Sequence, residues 1–491
     1  MPPETIMTDQ QRSRPRALPA IIGGQRVDRC AGGELLFDTP TGARFVLPRL
    51  GSPEAARLLG QDRHVLGDIP LQDVLAFLNR AGKNWKSAEY IRRRLYVRQL
   101  QDLLGYSEKA ADAEADRIAI LLTSHARMYD LIEAELGSRF ILDEWVPREE
   151  SQVKALPRGL VVHILPGNVP LAAAISIVRG LITKNVCVAK VGATDPLTAT
   201  ALALSFVDLD PHHPVTRALS VVYWPRDCPQ GRRVTQGADA VCAWGGNDAI
   251  RWARHNARQD APVSCFGPKQ SLALVDASVD PVQAARGLAH DVAIYDQQAC
   301  FSVRRVFVTG PVEPFLAELR TAMELHAELL PPGVITSDQG ARIQLARREE
   351  LFLGAEVDGD DQLAWTIVKC PAPEPDADHP LGRIVFVHPV ESLTEAYPFA
   401  DPTVQTVAGS PWEVLAEHRD PLARRGVSRF VELGLVNLFR IGGAHDGVNP
   451  LQGLVRMVGT EAPGGVFGKG MVVKLDETSM LQAGTLKDLV L

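Results

Sequence analysis

Cys300 is the residue of this chain whose type and position most strongly indicate chemistry. It lies in D-Q-Q-A-C-F-S at 296–302, between an amphipathic stretch at 280–294 and an apolar run at 303–308 that predicts a strand. A thiol on a loop between two ordered elements is accessible to a substrate, and a thiolate is a strong nucleophile. The alternative is an inert cysteine, because free cysteines are among the most buried residues.

Asn168 is the second candidate, in the segment L-P-G-N-V-P-L at 165–171. Pro166 and Pro170 restrict the loop, and the segment follows a predicted strand. An amide donor held at the carboxyl end of a strand suits an oxyanion that develops during acyl transfer. An asparagine that caps the following helix explains the same pattern equally well.

Two further segments suit the binding of a nucleotide. Lys190 ends a predicted buried strand, where its ammonium could reach a ribose or phosphate, although its head could equally remain in water. Gly245 and Gly246 join a strand to a helix, where the backbone approaches phosphate closely and the helix N-terminus favours negative charge. There is no G-x-G-x-x-G at this turn, so a plain strand-to-helix turn is the alternative.

The elements that must position these residues alternate between strands and helices. Predicted strands lie at 160–165, 186–190, 220–223, 240–244, 271–275, 303–308 and 384–388, and helices at 170–182, 196–208 and from about 248. Strands that are apolar throughout belong to a parallel sheet covered on both faces. Such doubly wound sheets bind ligands at the carboxyl ends of their strands. Residues 19–50 predict hairpins, and Asp195 with Pro196 predicts the start of a helix.

Composition narrows the class of protein. The chain has 491 residues, 46% of them hydrophobic, and a net charge of −7, so no basic field indicates nucleic acid. The apolar run at 159–178 is interrupted by three Pro and Gly residues, which favours a buried strand, loop and helix over a membrane span. Seven scattered cysteines without metal-ligand spacing predict a reduced, cytoplasmic protein without a metal site, and residues 1–18 lack the apolar region of a secretory signal.

Taken in order, these segments resemble the aldehyde dehydrogenase superfamily. Residues 166–171 are similar to its P-W-N-F-P loop, whose Asn lines an oxyanion hole, and 298–300 are similar to G-Q-x-C, which holds the nucleophile. Residues 180–196 resemble the strand-lysine segment that holds the adenine ribose, and 243–247 its F-T-G-S turn. Residues 266–269, which include Gly267, resemble a degraded E-L-G-G-K. The resemblance implies a Rossmann-type cofactor domain, an α/β catalytic domain and a small oligomerisation arm.

One departure from that pattern concerns the reaction. The glutamate of E-L-G-G-K, which activates water in hydrolytic members, is replaced by Cys265. This favours reduction of a thioester over oxidation of an aldehyde. Residues 182–186, 291–302, 445–447 and 454–456 are similar to the LuxC-like acyl-CoA reductases of bacterial luminescence. That family implies NADPH-dependent reduction of long-chain acyl-CoA or acyl-protein thioesters, often beside an acyl-activating partner enzyme. A hydrolytic aldehyde dehydrogenase and a non-catalytic acyl-binding subunit are the alternatives.

The cofactor is predicted to be NADPH. The glutamate that binds the ribose 2′-hydroxyl in NAD-preferring members is replaced here by Ala193, which leaves room for a 2′-phosphate. Lys190 and Arg226 are predicted to pair with that phosphate, with Pro166, Gly245, Gly246 and Gly267 completing the cofactor site. His290 and His445 are weaker candidates for proton donors.

The domain boundaries follow from the same comparison. Residues 1–137 are expected to form hairpins and helices of the cofactor domain, 158–269 its Rossmann-type core and 270–450 the catalytic domain. Residues 138–157 and 451–491 are the expected oligomerisation segments, so a homo-oligomer is predicted.

Overall fold

The structure is a computed structural model that describes residues 15–148, 151–372 and 379–461. The described residues form twenty strands. In chain order they are β1 (Arg16–Ala17), β2 (Ala20–Ile22), β3 (Gln25–Val27), β4 (Glu34–Asp38), β5 (Arg44–Pro48), β6 (Val146–Pro147), β7 (Gln152–Pro157), β8 (Leu160–Ile164), β9 (Val186–Lys190), β10 (Leu219–Val222), β11 (Ala240–Trp244), β12 (Val263–Phe266), β13 (Gln270–Asp276), β14 (Val303–Thr309), β15 (Glu356–Gly359), β16 (Thr366–Lys369), β17 (Ile384–Pro389), β18 (Val404–Ser410), β19 (Arg429–Glu432) and β20 (Val455–Thr460).

Helices connect and cover these strands. The α-helices of the described residues are Ser52–Leu59, Leu71–Lys86, Ile91–Leu104, Glu108–Thr123, His125–Leu136, Pro170–Ile182, Leu197–Leu209, Pro214–Arg217, Pro229–Gln236, Asn247–Asn256, Pro281–Ala293, Val312–Leu329, Ser337–Phe352, Leu415–Ala423 and Pro450–Leu454. Short 3₁₀ helices occupy Ile294–Gln297, Leu393–Phe399 and Trp412–Val414. No α-helix among the described residues is long and apolar enough to cross a bilayer.

The first seven-stranded sheet has the order β12-β11-β8-β9-β10-β2-β3. Its strands from β12 to β10 run parallel, and the β2–β3 hairpin extends the edge antiparallel to β10. Every residue of β8 and β11 is buried, as expected for strands covered by helices on both faces. The carboxyl ends of the parallel strands therefore meet at one edge of the sheet, where the loops that carry the candidate residues begin.

A second seven-stranded sheet has the order β15-β16-β17-β14-β13-β18-β19. All neighbours are parallel except the edge strand β15. The helices Pro281–Ala293 and Val312–Leu329 bury apolar side chains against this sheet, and the first of them leads directly into the Cys300 loop. The Cys300 loop is therefore anchored by a buried helix before it and by the central strand β14 after it.

Two smaller sheets complete the described structure. β1, β5 and β4 form one, and β6, β7 and β20 form an antiparallel sheet in which Gln152–Pro157 pairs along its whole length with Val455–Thr460. Asn185 fixes the end of this sheet, because its amide donates to the Leu454 carbonyl at 2.9 Å and accepts from Gly159 N–H at 3.0 Å. Residues 1–18 were expected to form a loose tail, but Arg16–Ala17 form β1 and Leu18 is buried. Residues 1–14 of that segment and the C-terminal part of the expected oligomerisation segment, 462–491, lie outside the described residues.

Each strand and helix that was predicted between β8 and β14 lies within one or two residues of its observed bounds, whereas β12 and the helices Pro214–Arg217 and Pro229–Gln236 were not predicted. One prediction in this range was wrong: Pro196 is the N-cap of its helix and not its first residue. The Asp195 carboxylate nevertheless accepts from the N–H groups of Leu197 and Thr198, each at 3.0 Å, so it satisfies the helix start from one position further away.

Candidate active site

A cavity of about 1110 Å³ lies between the two large sheets. Seven of the nine predicted site residues line it: Pro166, Asn168, Ala193, Gly245, Gly246, Gly267 and Cys300. The first six follow β8, β9, β11 and β12, at the carboxyl ends of parallel strands, where ligands bind in doubly wound sheets. Cys300 approaches from the second sheet. The cavity therefore brings together the Asn168 and Cys300 loops, which lie about 130 residues apart in the sequence.

The chain turns sharply before Cys300. Tyr295, Asp296 and Gln297 have φ values of 54°, 49° and 64°, so three consecutive residues with side chains adopt the left-handed region. Each such residue is disfavoured by contact between Cβ and the backbone and persists only where its surroundings hold it. The contacts of these three side chains explain how the turn is maintained.

Gln297 is fully buried and uses its whole amide. Its Nε2 donates to the carbonyls of Val303 at 2.8 Å and Ile384 at 2.6 Å, and its Oε1 accepts from Ile384 N–H at 3.0 Å. These bonds join the Cys300 loop to β14 and β17. The Gln297 side chain therefore holds the Cys300 loop against the second sheet, and it does not line the cavity.

The Asp296 side chain holds the same turn through contacts with Arg383 and Gly333. Its carboxylate pairs with the buried Arg383 guanidinium at 2.6 Å and accepts from Gly333 N–H at 3.0 Å. Arg383 also donates to the Leu330 carbonyl at 2.9 Å. The turn is thus fixed from two sides by residues that lie 37 and 87 positions away along the chain.

Cys300 is partly accessible through the cavity, which argues against an inert buried cysteine. Burial and the negative charge of Asp446 raise the pKa of the thiol to about 11. A hydrogen bond from Gln405 and the backbone N–H groups of Cys300 and Phe301 oppose that rise. The Cys300 thiol is therefore protonated at neutral pH and is surrounded by donors that would stabilise a thiolate.

Asn168 does not cap the helix that follows it. The N-cap of Pro170–Ile182 is Val169, without a side-chain hydrogen bond, and the Asn168 Nδ2 donates to the Gln298 carbonyl at 2.6 Å. This bond joins the loop after β8 to the nucleophile loop and uses one of the two amide hydrogens. Asn168 lines the same cavity as Cys300, and the second hydrogen of its Nδ2 is a further donor there.

Lys190 and Arg226 do not line the large cavity. The Lys190 Nζ lies 5.4 Å from the centre of the Tyr223 ring, and Arg226 pairs with Asp248 at 3.1 Å. Burial, followed by the charge of Arg226, lowers the pKa of Lys190 to about 8. Two cations at the ends of neighbouring strands repel each other, and an anion between them would relieve that repulsion.

The glycine turn after β11 is open. Gly245 has a φ of 138°, which residues with a side chain rarely adopt, and Gly246 is the N-cap of Asn247–Asn256. A Cβ placed on Gly246 would meet no described atom within 4 Å. A helix N-terminus with free space in front of it suits a phosphate group.

The two candidate histidines differ in position. His445 lines the large cavity between Phe266 and Phe439, with ring centres 5.0 and 4.9 Å away, whereas His290 lines only a smaller cavity of about 530 Å³. Burial and the charges of Arg179 and Arg429 lower the pKa of His445 to about 3. The imidazole of His445 is therefore neutral at physiological pH and holds no proton in the imidazolium form.

Several residues at the site carried no signal of their own in the sequence. Gln405 lies in an apolar strand, and the buried Glu114, which pairs with Arg117, lies on a helix before the first parallel strand. Asp446 lies in a Gly-rich loop, a feature of the sequence that indicates a site without singling out this carboxylate. Cys265, at the position of the hydrolytic glutamate, lies in β12 and does not line the large cavity.

Comparisons with known proteins agree on the family. The family model described as acyl-CoA reductase (LuxC) matches residues 66–457. The long-chain acyl-protein thioester reductase of Photorhabdus luminescens is 43% identical over 440 residues, which are 89% of this chain and 91% of the relative. The enzyme of the same name from Aliivibrio fischeri is 44% identical over 473 residues, which are 95% of this chain and 98% of the relative.

Solved structures share the fold at lower identity. NADP-dependent glyceraldehyde-3-phosphate dehydrogenase from Bacillus halodurans superimposes with a TM-score of 0.70 at 18% identity, over 90% of this chain and 98% of that one. The 1-pyrroline-5-carboxylate dehydrogenase from Thermus gives a TM-score of 0.70 at 18% identity, over 94% and 98%. This chain therefore has the aldehyde dehydrogenase fold and belongs to the LuxC family of acyl-CoA reductases.

Proposed function

We propose that this protein reduces a long-chain acyl thioester to the aldehyde through an acyl-enzyme formed on Cys300. The observation that carries the proposal is the meeting of Cys300 and Asn168 in one cavity, joined through the Gln298 carbonyl. A thiol and an amide donor in one cavity provide a nucleophile and a partner for the oxyanion. The names of the relatives support the same substrate class.

The acylation half-reaction uses residues of this chain alone. The Cys300 sulfur attacks the thioester carbonyl, whose oxygen becomes negatively charged. The second amide hydrogen of Asn168 and the backbone N–H of Cys300 stabilise that oxygen. The bond from the carbonyl carbon to the donor sulfur then breaks, and a thioester to Cys300 remains. Since Cys265 replaces the glutamate that activates water in hydrolytic enzymes, the thioester is expected to survive until it is reduced.

A nicotinamide cofactor, when bound, would supply the hydride that reduces the acyl group. The loop Gly245–Gly246 and the helix N-terminus behind it offer a site for the pyrophosphate, flanked by Pro166 and Gly267. For the adenine end we propose NADPH over NADH. Ala193 leaves space beside the ribose, and Lys190 with Arg226 would bind a 2′-phosphate.

The lining of the cavity supports an aliphatic acyl chain. Apolar side chains contribute much of the cavity wall, among them Val169, Leu171, Ile175, Phe301 and Phe439. The acyl donor is a CoA ester or an acyl-protein, the latter supplied by an acyl-activating partner enzyme. The sheet of β6, β7 and β20 has two edge strands and is the proposed contact of a homo-oligomer.

The acyl-enzyme can be tested by intact-mass analysis after mixing the protein with myristoyl-CoA and no cofactor. We expect one acyl adduct, which maps to Cys300 and is absent from Cys300→Ala. Cys265→Ala is the matched control, because this partly accessible thiol does not line the cavity, and it should acylate normally. An active preparation that forms no adduct, or an adduct that survives in Cys300→Ala, would contradict the proposal.

The cofactor proposal has its own test. Fluorescence titration of the protein should give a lower dissociation constant for NADPH than for NADH. Lys190→Met should weaken NADPH binding by about tenfold or more, since a charged hydrogen bond is worth roughly 1.5–3 kcal/mol, and leave NADH binding nearly unchanged. Equal losses for both cofactors would show that Lys190 does not contact the 2′-phosphate.

A further inference from the structure

Asp446 faces the nucleophile from a loop that the proposed acylation leaves unused. It lies in the Gly-rich loop after β19, with a φ of 51°, and lines the same cavity as Cys300. Its carboxylate accepts a hydrogen bond from the Gln405 Nε2 of β18. The Gln405 side chain also acts on Cys300, whose thiol pKa it lowers, so the amide that holds the carboxylate also lies near the thiol.

The charged surroundings of Asp446 are sparse. Lys269, from the loop after β12, is the cation that faces it, and the Lys269 Nζ is bound to the Pro402 carbonyl at 2.6 Å. Arg429 of β19 faces the thiol, and His445, the neighbouring residue, is neutral. None of the ion pairs among the described residues involves Asp446, so its carboxylate is held beside the thiol without a competing salt bridge.

Building on the proposed acyl-enzyme, we infer that Asp446 is the proton acceptor for the Cys300 thiol and that Gln405 holds it in place. As the sulfur forms its bond to the carbonyl carbon, the S–H bond breaks and an O–H bond forms on the Asp446 carboxylate. When the bond from carbon to the donor sulfur breaks, the departing thiolate takes the proton from Asp446. The products are the Cys300 thioester, a free donor thiol and the original carboxylate, so atoms and charge balance.

The need for such a group follows from the state of the thiol. Burial and the Asp446 charge hold Cys300 protonated at neutral pH, so attack requires a base within reach. A carboxylate and a thiolate at close range in a buried site are unfavourable together, and they therefore share one proton. The position that carries a carboxylate in hydrolytic relatives is occupied by Cys265, which cannot serve as this base.

Two substitutions distinguish whether Asp446 accepts the Cys300 proton or acts only through its negative charge. Asp446→Asn and Asp446→Gly both suit the left-handed backbone of this residue. In both variants we expect the rate of Cys300 acylation by myristoyl-CoA to fall about 100-fold or more. The pH midpoint of Cys300 alkylation by iodoacetamide should move to lower pH, because the charge that disfavours the thiolate is gone. Asp28→Asn, at an exposed carboxylate, is the control for both rates.

Chemical rescue excludes a purely structural role. Formate or acetate added to Asp446→Gly should restore part of the acylation rate in proportion to its concentration, whereas chloride at equal ionic strength should not. Faster acylation in Asp446→Asn, in step with faster alkylation, would overturn the inference, as would the absence of rescue in a folded Asp446→Gly protein. If the wild-type protein forms no adduct, the proposed function fails instead. An alkylation midpoint that is the same in wild type and Asp446→Asn would then count against Asp446 facing the thiol.

Discussion

The two loops that meet in the cavity are held in different ways. The loop that carries Asn168 is short, and two prolines restrict it between β8 and the helix Pro170–Ile182. The loop that carries Cys300 contains no proline and passes through three left-handed residues, Tyr295 to Gln297. Local covalent geometry shapes the first loop, and distant hydrogen bonds shape the second.

This contrast has a consequence for the site. A loop restricted by proline keeps its shape when single contacts are lost, since the restriction is also present in the unfolded chain. A loop held by buried polar contacts loses its shape when one partner is removed, because the remaining partner is left unsatisfied. The position of Cys300 therefore depends on residues far from it, and the position of Asn168 depends much less on distant residues.

The largest effect is expected from Gln297→Ala, which removes three hydrogen bonds and leaves groups of Val303 and Ile384 unpaired. We expect a loss of about 4 kcal/mol in the free energy of unfolding. Cys300 acylation should slow by about 100-fold, since a shift of roughly 1 Å at the nucleophile is enough for that. Urea unfolding and the myristoyl-CoA mass assay measure the two quantities. Gln298→Ala, at the neighbouring residue, should change the free energy of unfolding by less than about 1 kcal/mol. Equal losses of stability in the two variants would show that the Gln297 hydrogen bonds do not hold the loop.

Arg383→Met tests the other side of the same loop. It leaves the Asp296 carboxylate without its ion pair and the Leu330 carbonyl without a donor. We expect a loss of about 3 kcal/mol, as for other buried ion pairs from which one partner is removed. The control is Arg342→Met, which breaks an exposed pair with Asp338 at 3.4 Å and should cost less than about 0.5 kcal/mol. If both variants unfold at the same urea concentration, the Asp296 contact does not hold the loop.

Glu114 is a buried carboxylate in the cavity wall, which also includes residues of both loops. It pairs with Arg117, and it lies close enough to Leu171, beside the Asn168 loop, and to Tyr295 for its pKa and that of Tyr295 to be affected. Burial raises the pKa of Glu114 to about 7, although Arg117 and the Leu171 N–H act in the opposite direction. The folded state therefore holds the proton more tightly than the unfolded state, in which the pKa is near 4.5.

The raised pKa of Glu114 makes the folded state less stable as the pH rises. The contribution of a protonated Glu114 is complete below pH 4.5 and is lost as the pH rises through about 7. Between pH 5 and pH 8 the wild-type protein should lose roughly 2 kcal/mol more than Glu114→Gln, which cannot ionise. Urea unfolding at both pH values measures the difference, and Asp291, whose pKa is also raised to about 7, is present in both proteins and cancels. If both proteins lose the same free energy of unfolding between the two pH values, a group other than Glu114 causes the pH dependence.

The same contrast decides how much could be predicted from the sequence. Strand β9 was predicted at its observed bounds, and Cys300 and Asn168 followed from short motifs. These features are determined by residues that are neighbours in the sequence, so a short segment of sequence is enough to predict them. The contacts of Asp296 with Arg383 and of Gln405 with Asp446 join residues 87 and 41 positions apart. No local pattern encodes such pairs, because they exist only once the second sheet is assembled.

The smallest effect is expected from Pro170→Ala. Pro170 occupies the first turn of its helix, where alanine fits without strain, so the change acts mainly by giving the unfolded chain more freedom. We expect a loss of about 0.4–1 kcal/mol and a change of less than about threefold in acylation, which corresponds to roughly 0.6 kcal/mol. Urea unfolding and the mass assay provide the comparison with Gln297→Ala. If acylation falls as far in Pro170→Ala as in Gln297→Ala, the Asn168 loop also depends on exact placement. The two loops would then differ in how they are built but not in how strictly the reaction requires them.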